Sequence, residues 1–194
     1  MLRIILSFFL IVVFVPGLQA QLAYERKQSN LSLTYGVHNI WKQLFKESII
    51  SNYYASLKSK GPLSITYDYA LHRKISAGIT LAYSNLKARS VYGSYENNEK
   101  LTNFSVLGRA SYHIIIKEKW DGYAGAGAGY YRFNYSSVDN AGGSNGGSGI
   151  KVPGAFGYTG HGGIRYFFSK DFAAMAELGF VAGSYGQVGI SYKF

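Results

Sequence analysis

Residues 187–194 (QVGISYKF) alternate strictly between large apolar side chains and small or polar ones. The apolar set falls on one face of an extended chain and comprises Val188, Ile190, Tyr192 and Phe194. Gly189, Ser191 and Lys193 fall on the other face. This period of two predicts a β-strand with one apolar and one hydrophilic face. It does not say which face meets water, so a soluble β-barrel or sandwich and a membrane-spanning β-barrel both fit at this point.

Seven further segments of about ten residues show the same alternation, and turn-like stretches separate them. The eight predicted strands cover residues 30–38, 62–71, 75–86, 102–114, 120–133, 155–168, 172–181 and 187–194. In the fifth strand the centre, residues 125–129, alternates only Gly with Ala, so the pattern does not say which set points outward. A barrel of ten strands is less favoured, because the first long connection matches period two poorly.

The connections between these strands alternate in length. Short turns at residues 72–74, 117–119 and 169–171 alternate with long connections after the first, third and fifth strands. Transmembrane barrels commonly have short periplasmic turns and longer external loops, and an even strand count places both termini on the periplasmic side. A short external loop at residues 182–186 is the exception. The alternation therefore favours an antiparallel up-and-down barrel.

The start of the chain has the arrangement of a secretory signal peptide. Arg3 supplies a positive charge, residues 4–15 form an apolar run, and residues 18–20 (LQA) resemble a cleavage site. The alternative is a membrane anchor, but a spanning helix needs about 20 apolar residues. We therefore expect residues 1–20 to be removed and residues 21–194 to form one barrel domain. The chain has no Cys, so a large core or a membrane, rather than disulfides, must stabilise it.

The C-terminal strand favours the membrane alternative. Its alternating apolar side chains end in the aromatic Phe194 and resemble the C-terminal signal of bacterial outer-membrane barrels, which the barrel-insertion machinery reads. The expected mature chain, residues 21–194, resembles the small OmpA-like and OmpX-like barrels of Gram-negative bacteria in strand number, loop pattern and the stretch YAGAGAGYYRF (residues 123–133). This resemblance implies an all-β fold, an eight-stranded antiparallel transmembrane up-and-down β-barrel in the cell outer membrane.

The first long connection, residues 38–61, has helical periodicity in its apolar side chains. These side chains are Trp41, Leu44, Phe45, Ile49 and Tyr53. We therefore expect a short amphipathic helix in the first external loop.

Aromatic residues cluster near the predicted strand ends, as expected for girdles at the two membrane interfaces. The girdle predicted at the periplasmic turns comprises Tyr67, Tyr69, Tyr112, Trp120, Tyr123, Tyr166, Phe167, Phe168 and Phe172. The girdle predicted at the other rim comprises Tyr35, Tyr83, Tyr130, Tyr131, Phe156 and Tyr158.

Eight strands enclose an interior only wide enough for side chains. The charged residues predicted to point inward are Asp68, Arg109, Arg165, Glu177 and Lys193. Charges in a narrow lumen are costly unless they are paired. We therefore predict a salt-bridged plug in which Asp68 and Glu177 offset Arg109 and Arg165, with a gated pore as the alternative.

No motif predicts a catalytic, cofactor or metal site. The chain has four histidines, His38, His72, His113 and His161, without the spacing of metal ligands. His161 is predicted to point inward, but it lacks the His-x-Ser arrangement of the lipid A deacylases that share this fold. We therefore expect a protein that is not an enzyme.

The formal net charge of +10 gives the remaining functional indication. An exported protein rarely meets nucleic acid, so a basic balance favours attraction between external loops and anionic lipopolysaccharide. We expect a membrane anchor whose loops, above all residues 38–61 and 85–101, contact lipopolysaccharide, surfaces or a partner protein. The alternatives are a narrow porin-like channel for small solutes and a lipid-modifying outer-membrane enzyme.

Overall fold

Antiparallel strands make up most of the described part of the computed structural model. The structure describes residues 22–37, 39–40, 42–43, 54–92, 95–139, 147–151 and 154–194. Within them the strands are β1 (Ser29–Gly36), β2 (Tyr54–His72), β3 (Ile75–Tyr92), β4 (Tyr95–Ile116), β5 (Trp120–Asp139), β6 (Gly147–Lys151), β7 (Ala155–Phe167), β8 (Phe172–Val181) and β9 (Ser184–Lys193).

Eight of these strands close a ring. The order β4-β3-β2-β1-β9-β8-β7-β5 runs around it, and the pairing of β4 with β5 completes the circle. The short β6 lies outside this order, because it pairs with residues 134–138 of β5, beyond the stretch 120–131 that pairs with β7. The prediction of an eight-stranded antiparallel barrel is therefore confirmed.

Four strands continue past the ring at the end opposite the short turns. β3 and β4 pair along their whole length, so the loop predicted at residues 85–101 is instead a long β-hairpin. β2 already begins at Tyr54, so the last part of the predicted loop 38–61 is also strand. Period-two hydrophobicity missed these parts because both of their faces carry polar residues, although the backbone ladder continues.

This projecting sheet is named the outer extension. It comprises residues 54–60 of β2, 85–92 of β3, 95–102 of β4 and 133–139 of β5.

Two predictions fall mainly outside the described residues. Of the helix predicted in the first long connection, Ile40, Lys42 and Gln43 are described and the remainder is not, so the helix stays a prediction. The predicted signal peptide, residues 1–20, lies wholly outside the described chain. None of the helical residues that are described belongs to a helix long and apolar enough to cross a membrane.

The apolar side of the ring strands faces outward. Leu33, Ile65 and Leu81 lie side by side on β1, β2 and β3, and each is between 43% and 47% exposed. The other side faces the lumen and holds buried charges, with Asp68 2% and Arg165 1% exposed. A water-soluble barrel has the opposite distribution. An apolar outer belt around a hydrophilic interior makes this a transmembrane β-barrel.

The structure settles the facing of β5, which the sequence left open. Ala124, Ala126 and Ala128 are exposed on the outer surface, and the glycines between them point into the lumen. The centre of β5 therefore carries no side chains on its lumen face, and side chains of other strands fill the space beside it.

Three aromatic residues assigned to the girdles lie in the lumen instead. Tyr123, Tyr131 and Phe167 are buried at 3%, 7% and 3% exposure. Consecutive residues of a strand face opposite sides, so runs of adjacent aromatic residues cannot all face lipid. Trp120 and Tyr166 do lie outside, where their ring centroids are 4.7 Å apart.

A tight turn between β8 and β9 covers the end of the lumen that lies on the side of the outer extension. Ala182 and Gly183 join β8 to β9 with φ values of 48° and 92°, the two positive angles of a type I′ hairpin. The connection is thus shorter than the loop predicted at residues 182–186. A buried apolar cluster, the outer apolar layer, forms around this turn and contains Ala82, Leu107, Tyr131, Val181 and Ala182.

Residues 22–28, the N-terminal segment, cover the opposite opening at the short-turn end. The Tyr24 ring stacks on His113 with 3.5 Å between centroids. The Tyr24 hydroxyl lies 3.1 Å from the His72 carbonyl oxygen and 2.8 Å from that of Ile75. Ala23 packs beside Phe167 in a second buried cluster. Both ends of the lumen are therefore filled by described side chains.

Candidate functional site

The middle of the lumen holds a network of buried ion pairs. Arg109 donates two hydrogen bonds to Glu177, at 3.1 and 2.7 Å. Arg165 donates to Asp68 at 2.6 Å and to Asp121 at 3.1 Å. Arg109 Nε also lies 3.5 Å from Asp68 Oδ1, which joins the two halves. These side chains are at most 5% exposed, so the pairing removes what would otherwise be a large cost of burying charge.

Four of the five charged residues that were predicted to face the lumen meet in this network. Lys193 is also buried but extends away from it. Its Nζ lies 3.4 Å from the Leu22 carbonyl oxygen and 4.7 Å from the centre of the Phe167 ring. The lysine therefore holds the N-terminal segment against the short-turn end and is not a member of the network.

Sequence reasoning missed two members of the network on β5. Asp121 accepts from Arg165, and the Tyr123 hydroxyl donates to Glu177 at 2.8 Å. The Arg165 guanidinium carbon lies 4.5 Å from the centre of the Tyr123 ring, a cation–π contact. Both were missed because the Gly-Ala alternation at the centre of β5 does not show which of its residues point into the lumen. The outward aromatic Trp120, one residue from Asp121, was the available signal.

Glycines on intervening strands let these long side chains meet. Gly163 lies between Tyr123 on β5 and Glu177 on β8, and a Cβ there would come within 2.6 Å of the Tyr123 hydroxyl oxygen. Gly78 lies in the same way between Asp68 and Arg109. Each glycine leaves a gap in the wall of side chains, and its two neighbours in the row reach across that gap.

A second hydrogen-bonded chain lies nearer the short-turn end. His113 Nδ1 is 2.5 Å from Asp121 Oδ1, and His113 Nε2 is 3.0 Å from the Ser76 hydroxyl oxygen. Serine, histidine and aspartate in this order form the arrangement that activates a nucleophile in hydrolases. All three residues are at most 1% exposed, and Tyr24 covers the His113 ring. The arrangement thus fixes the histidine but leaves no path for a substrate between the described side chains.

The residues of the predicted insertion signal lie on the outer belt. Val188, Ile190, Tyr192 and Phe194 are between 41% and 61% exposed, and Tyr192 packs on Phe172 with 4.9 Å between centroids. Across the described residues, no group of three or more side chains forms a possible metal site.

The outer extension carries a row of lysines that the sequence analysis did not single out. Lys58, Lys87 and Lys100 are direct cross-strand neighbours on β2, β3 and β4, and Ser136 of β5 continues the row. Like charges directly opposite each other on neighbouring strands are destabilising. No ion pair to another described residue relieves this lysine row.

A groove of about 460 Å³ runs along the lysine row. Its lining also includes Ser56, Arg89, Glu99 and Val138 beside the three lysines. Arg89 is engaged with Glu96 at 2.7 Å, and this hydrogen bond lowers the pKa of the Glu96 carboxyl. Among the ion pairs between described residues none includes a lysine of the groove, and Glu99 accepts a hydrogen bond from Asn97 Nδ2 at 3.3 Å.

The lysine row lies just above the apolar belt. Tyr83 and Phe104 are cross-strand neighbours on the outer surface, and each is four residues from the lysine of its own strand. At about 3.3 Å per residue this is roughly 13 Å along the strand, less in height for a tilted strand. Aromatic side chains at this rim are typical of the membrane interface, so the lysine row lies on the polar side of that interface.

Comparison with known proteins gives similarity in fold alone. No protein-family model and no curated protein matches the chain. Among solved structures, Ail of Yersinia pestis is 12% identical with a TM-score of 0.49, over 88% of this chain and 100% of that one. OprG of Pseudomonas aeruginosa is 13% identical with a TM-score of 0.48, over 88% and 97%. The N-terminal β-barrel domain of Pseudomonas aeruginosa OprF is 15% identical with a TM-score of 0.41, over 87% and 98%.

The closed ring, the outward apolar belt and the paired charges inside carry the assignment independently of these likenesses. They make this chain an eight-stranded antiparallel transmembrane β-barrel, which is the fold that the resemblance to OmpA-like and OmpX-like barrels implied.

Proposed function

We propose that this protein is a non-enzymatic anchor of the bacterial outer membrane whose lysine row binds the phosphate groups of lipopolysaccharide. In this proposal residues 1–20 direct export and are removed, the short turns face the periplasm, and the outer extension faces the outside. The observation that carries the proposal is the lysine row itself, with its groove and its height above the apolar belt.

The physical argument starts from the repulsion within the row. Neighbouring strands are about 4.8 Å apart, so Lys58, Lys87 and Lys100 hold three positive charges close together. A phosphate group that bridges two of them replaces repulsion with charge-assisted hydrogen bonds. Lipopolysaccharide offers such groups at the membrane surface beside the barrel wall. A lipid molecule that is already held in the membrane loses little translational freedom when it binds there.

The test is lipopolysaccharide binding by a triple variant. Replacement of Lys58, Lys87 and Lys100 by Gln removes the row. We expect binding to purified lipopolysaccharide to weaken by about tenfold or more, since each charged hydrogen bond contributes about 1.5–3 kcal/mol. The matched control replaces the same three lysines by Arg, which keeps the positive charges at the same positions on β2, β3 and β4, and should bind as the wild type does. Equal binding by the triple variant, or equal loss in the control, would reject the lysine row as the site.

A second arm of the experiment identifies the chemical group. Dephosphorylated lipopolysaccharide should bind the wild type as weakly as intact lipopolysaccharide binds the triple variant. Strong binding of the dephosphorylated form would mean that sugars or acyl chains, rather than phosphates, are recognised.

The enzyme alternative has one observation in its favour, the Ser76–His113–Asp121 arrangement. Its burial beneath Tyr24 argues against it. A fluorophosphonate probe, which reacts with activated serines, decides between the two. We expect no labelling of the folded protein in detergent, and labelling that disappears in Ser76→Ala would favour the enzyme.

A further inference from the structure

The short-turn end carries an excess of positive charge that the proposed lipopolysaccharide site does not use. Seven basic side chains belong to the N-terminal segment and the short turns, against three acidic ones, an excess of four positive charges. The basic residues, all exposed, are Arg26, Lys27, Arg73, Lys74, Lys117, Lys119 and Lys170. The acidic residues are Glu25, Glu118 and Asp171. We name the seven basic residues the basic rim.

No member of the basic rim forms an ion pair with another described residue. Each ion pair formed between described residues belongs either to the lumen network and its His113 neighbour or to Arg89 with Glu96. The seven cations are also spread over the N-terminal segment and three separate turns rather than gathered in one pocket. Their distribution suits a surface that offers many anions around the ring, not a single small anion.

The basic rim lies at the edge of the aromatic belt. Lys119 directly precedes Trp120, which packs on Tyr166 outside the barrel. The Lys74 ammonium lies 6.0 Å from the centre of the Tyr112 ring. Tyrosine and tryptophan take positions at the headgroup level of a bilayer, and lysine side chains beside them extend to the phosphates. The rim cations are therefore within reach of the membrane's own headgroups.

We propose that the basic rim binds anionic phospholipid headgroups, of the phosphatidylglycerol type, in the leaflet at the short-turn end. This inference rests on the membrane location in the proposed function but not on lipopolysaccharide binding. A basic residue near an anionic membrane surface favours association about fivefold, the factor that corresponds to about 1 kcal/mol. The barrel would then hold a shell of anionic lipid at one end and lipopolysaccharide at the other.

Trp120 provides a local reporter for this shell. The chain has two tryptophans, Trp41 and Trp120, so Trp41→Phe leaves a single fluorophore beside Lys119. This protein is folded into vesicles that contain equal amounts of phosphatidylglycerol and phosphatidylcholine, with either one or the other brominated. Brominated lipid quenches tryptophan only when it is adjacent, so the ratio of the two quenching efficiencies reports which lipid surrounds the short-turn end.

We expect brominated phosphatidylglycerol to quench Trp120 about twofold more than brominated phosphatidylcholine at low salt. The ratio should fall to one when five rim residues are replaced by Gln, namely Arg73, Lys74, Lys117, Lys119 and Lys170. In the protein with an unmodified rim, 1 M salt should also lower the quenching ratio to one. This second measurement keeps the test valid if the variant with five substitutions folds poorly. The Lys58, Lys87 and Lys100 variant should keep the wild-type ratio.

Equal quenching by both lipids in the wild-type rim, or a ratio unchanged by the five replacements, would overturn the proposal. Charge-dependent sedimentation with peptidoglycan, combined with equal quenching, would assign the basic rim to a cell-wall polymer and also reject the lipid. Quenching by neither lipid would show that the barrel does not enter the bilayer, and the proposed function would fail with it. Loss of lipopolysaccharide binding alone leaves the quenching ratio intact.

Discussion

At the scale of single residues, the hydrogen-bonded network in the lumen depends on glycines as much as on charged side chains. Tyr123 reaches Glu177 because Gly163 lies between them, and Arg109 reaches Asp68 across Gly78. Glycine in a strand often marks a place where other groups approach closely. Here the approaching groups are ionised side chains, so the small residues of the wall decide whether the network can form.

Gly163→Ala should therefore destabilise the barrel. The new methyl group would lie 2.6 Å from the Tyr123 hydroxyl oxygen and 3.0 Å from the Ala176 carbonyl oxygen, so the Tyr123–Glu177 hydrogen bond must shift. We expect a loss of about 1–3 kcal/mol in the free energy of unfolding in urea. Gly160→Ala, on the same strand, meets nothing within 4 Å and is the matched control. Equal effects of the two substitutions would contradict this account.

Removing one member of the buried network should cost more than removing a pair. Glu177→Met leaves the Arg109 guanidinium with Asp68 at 3.5 Å as its remaining carboxylate, so we expect about 3–5 kcal/mol of destabilisation. Replacing both Arg109 and Glu177 by Met should be less destabilising than the single change, because no buried guanidinium is left without its two Glu177 hydrogen bonds. The midpoint of heat-induced conversion between folded and unfolded gel bands measures both. A double variant less stable than the single one would contradict the paired-charge interpretation.

At the scale of strands, the outer extension combines a regular backbone ladder with an unfavourable arrangement of side chains. β3 and β4 remain paired to their ends, yet Lys58, Lys87 and Lys100 lie directly opposite one another. A local arrangement of side chains that lowers stability, within an otherwise regular sheet, is typical of a surface that is selected for binding. The strand extension holds the lysines at a fixed spacing, which a mobile loop would not do.

Lys87→Glu should expose this conflict directly. The substitution turns two repulsive cross-strand pairs into attractive ones, so we expect the barrel to become more stable by about 0.2–1 kcal/mol per pair at low salt. Lipopolysaccharide binding should weaken at the same time. Lys60→Glu, opposite the neutral Asn85, is the control and should leave stability nearly unchanged. A less stable Lys87→Glu protein would mean that the row is not under repulsive strain.

The strand scale also shows where sequence reasoning succeeds and where it ends. Strands with one apolar face, such as residues 172–181, are predicted with the observed bounds, because lipid on one side and lumen on the other impose strict alternation. The outer extension was predicted as loop because water on both sides imposes no alternation. The facing of β5 was undetermined because Gly and Ala fit both sides.

At the scale of the whole molecule, three layers fill the lumen. The N-terminal segment covers one end, the charged network occupies the middle and the outer apolar layer closes the other end. The paired charges could be predicted from inward-facing residues of opposite sign. The Ser76–His113–Asp121 chain and the Tyr24 cover could not, because they join residues from four separate segments whose register only the closed ring defines.

The three layers predict a barrel that does not conduct. Wild-type protein in planar lipid bilayers should show no stable conductance steps, and neither should Tyr24→Ala, because the charged network and outer apolar layer remain in place. Stable steps from Tyr24→Ala alone would mean that the N-terminal segment is the sole barrier, and steps from the wild type would favour the channel alternative.

The cover formed by Tyr24 has a consequence for how assembly can be followed. Its contacts come from the β2–β3 turn and from His113 on β4, so no docking place exists for it until those strands have paired. Arg26 and Lys27 follow closely in the sequence and are trypsin sites, and the backbone N–H of Lys27 donates to the Ala70 carbonyl oxygen of β2 at 2.9 Å. Resistance of residues 22–28 to trypsin should therefore appear last during folding, so it would report when the barrel is complete.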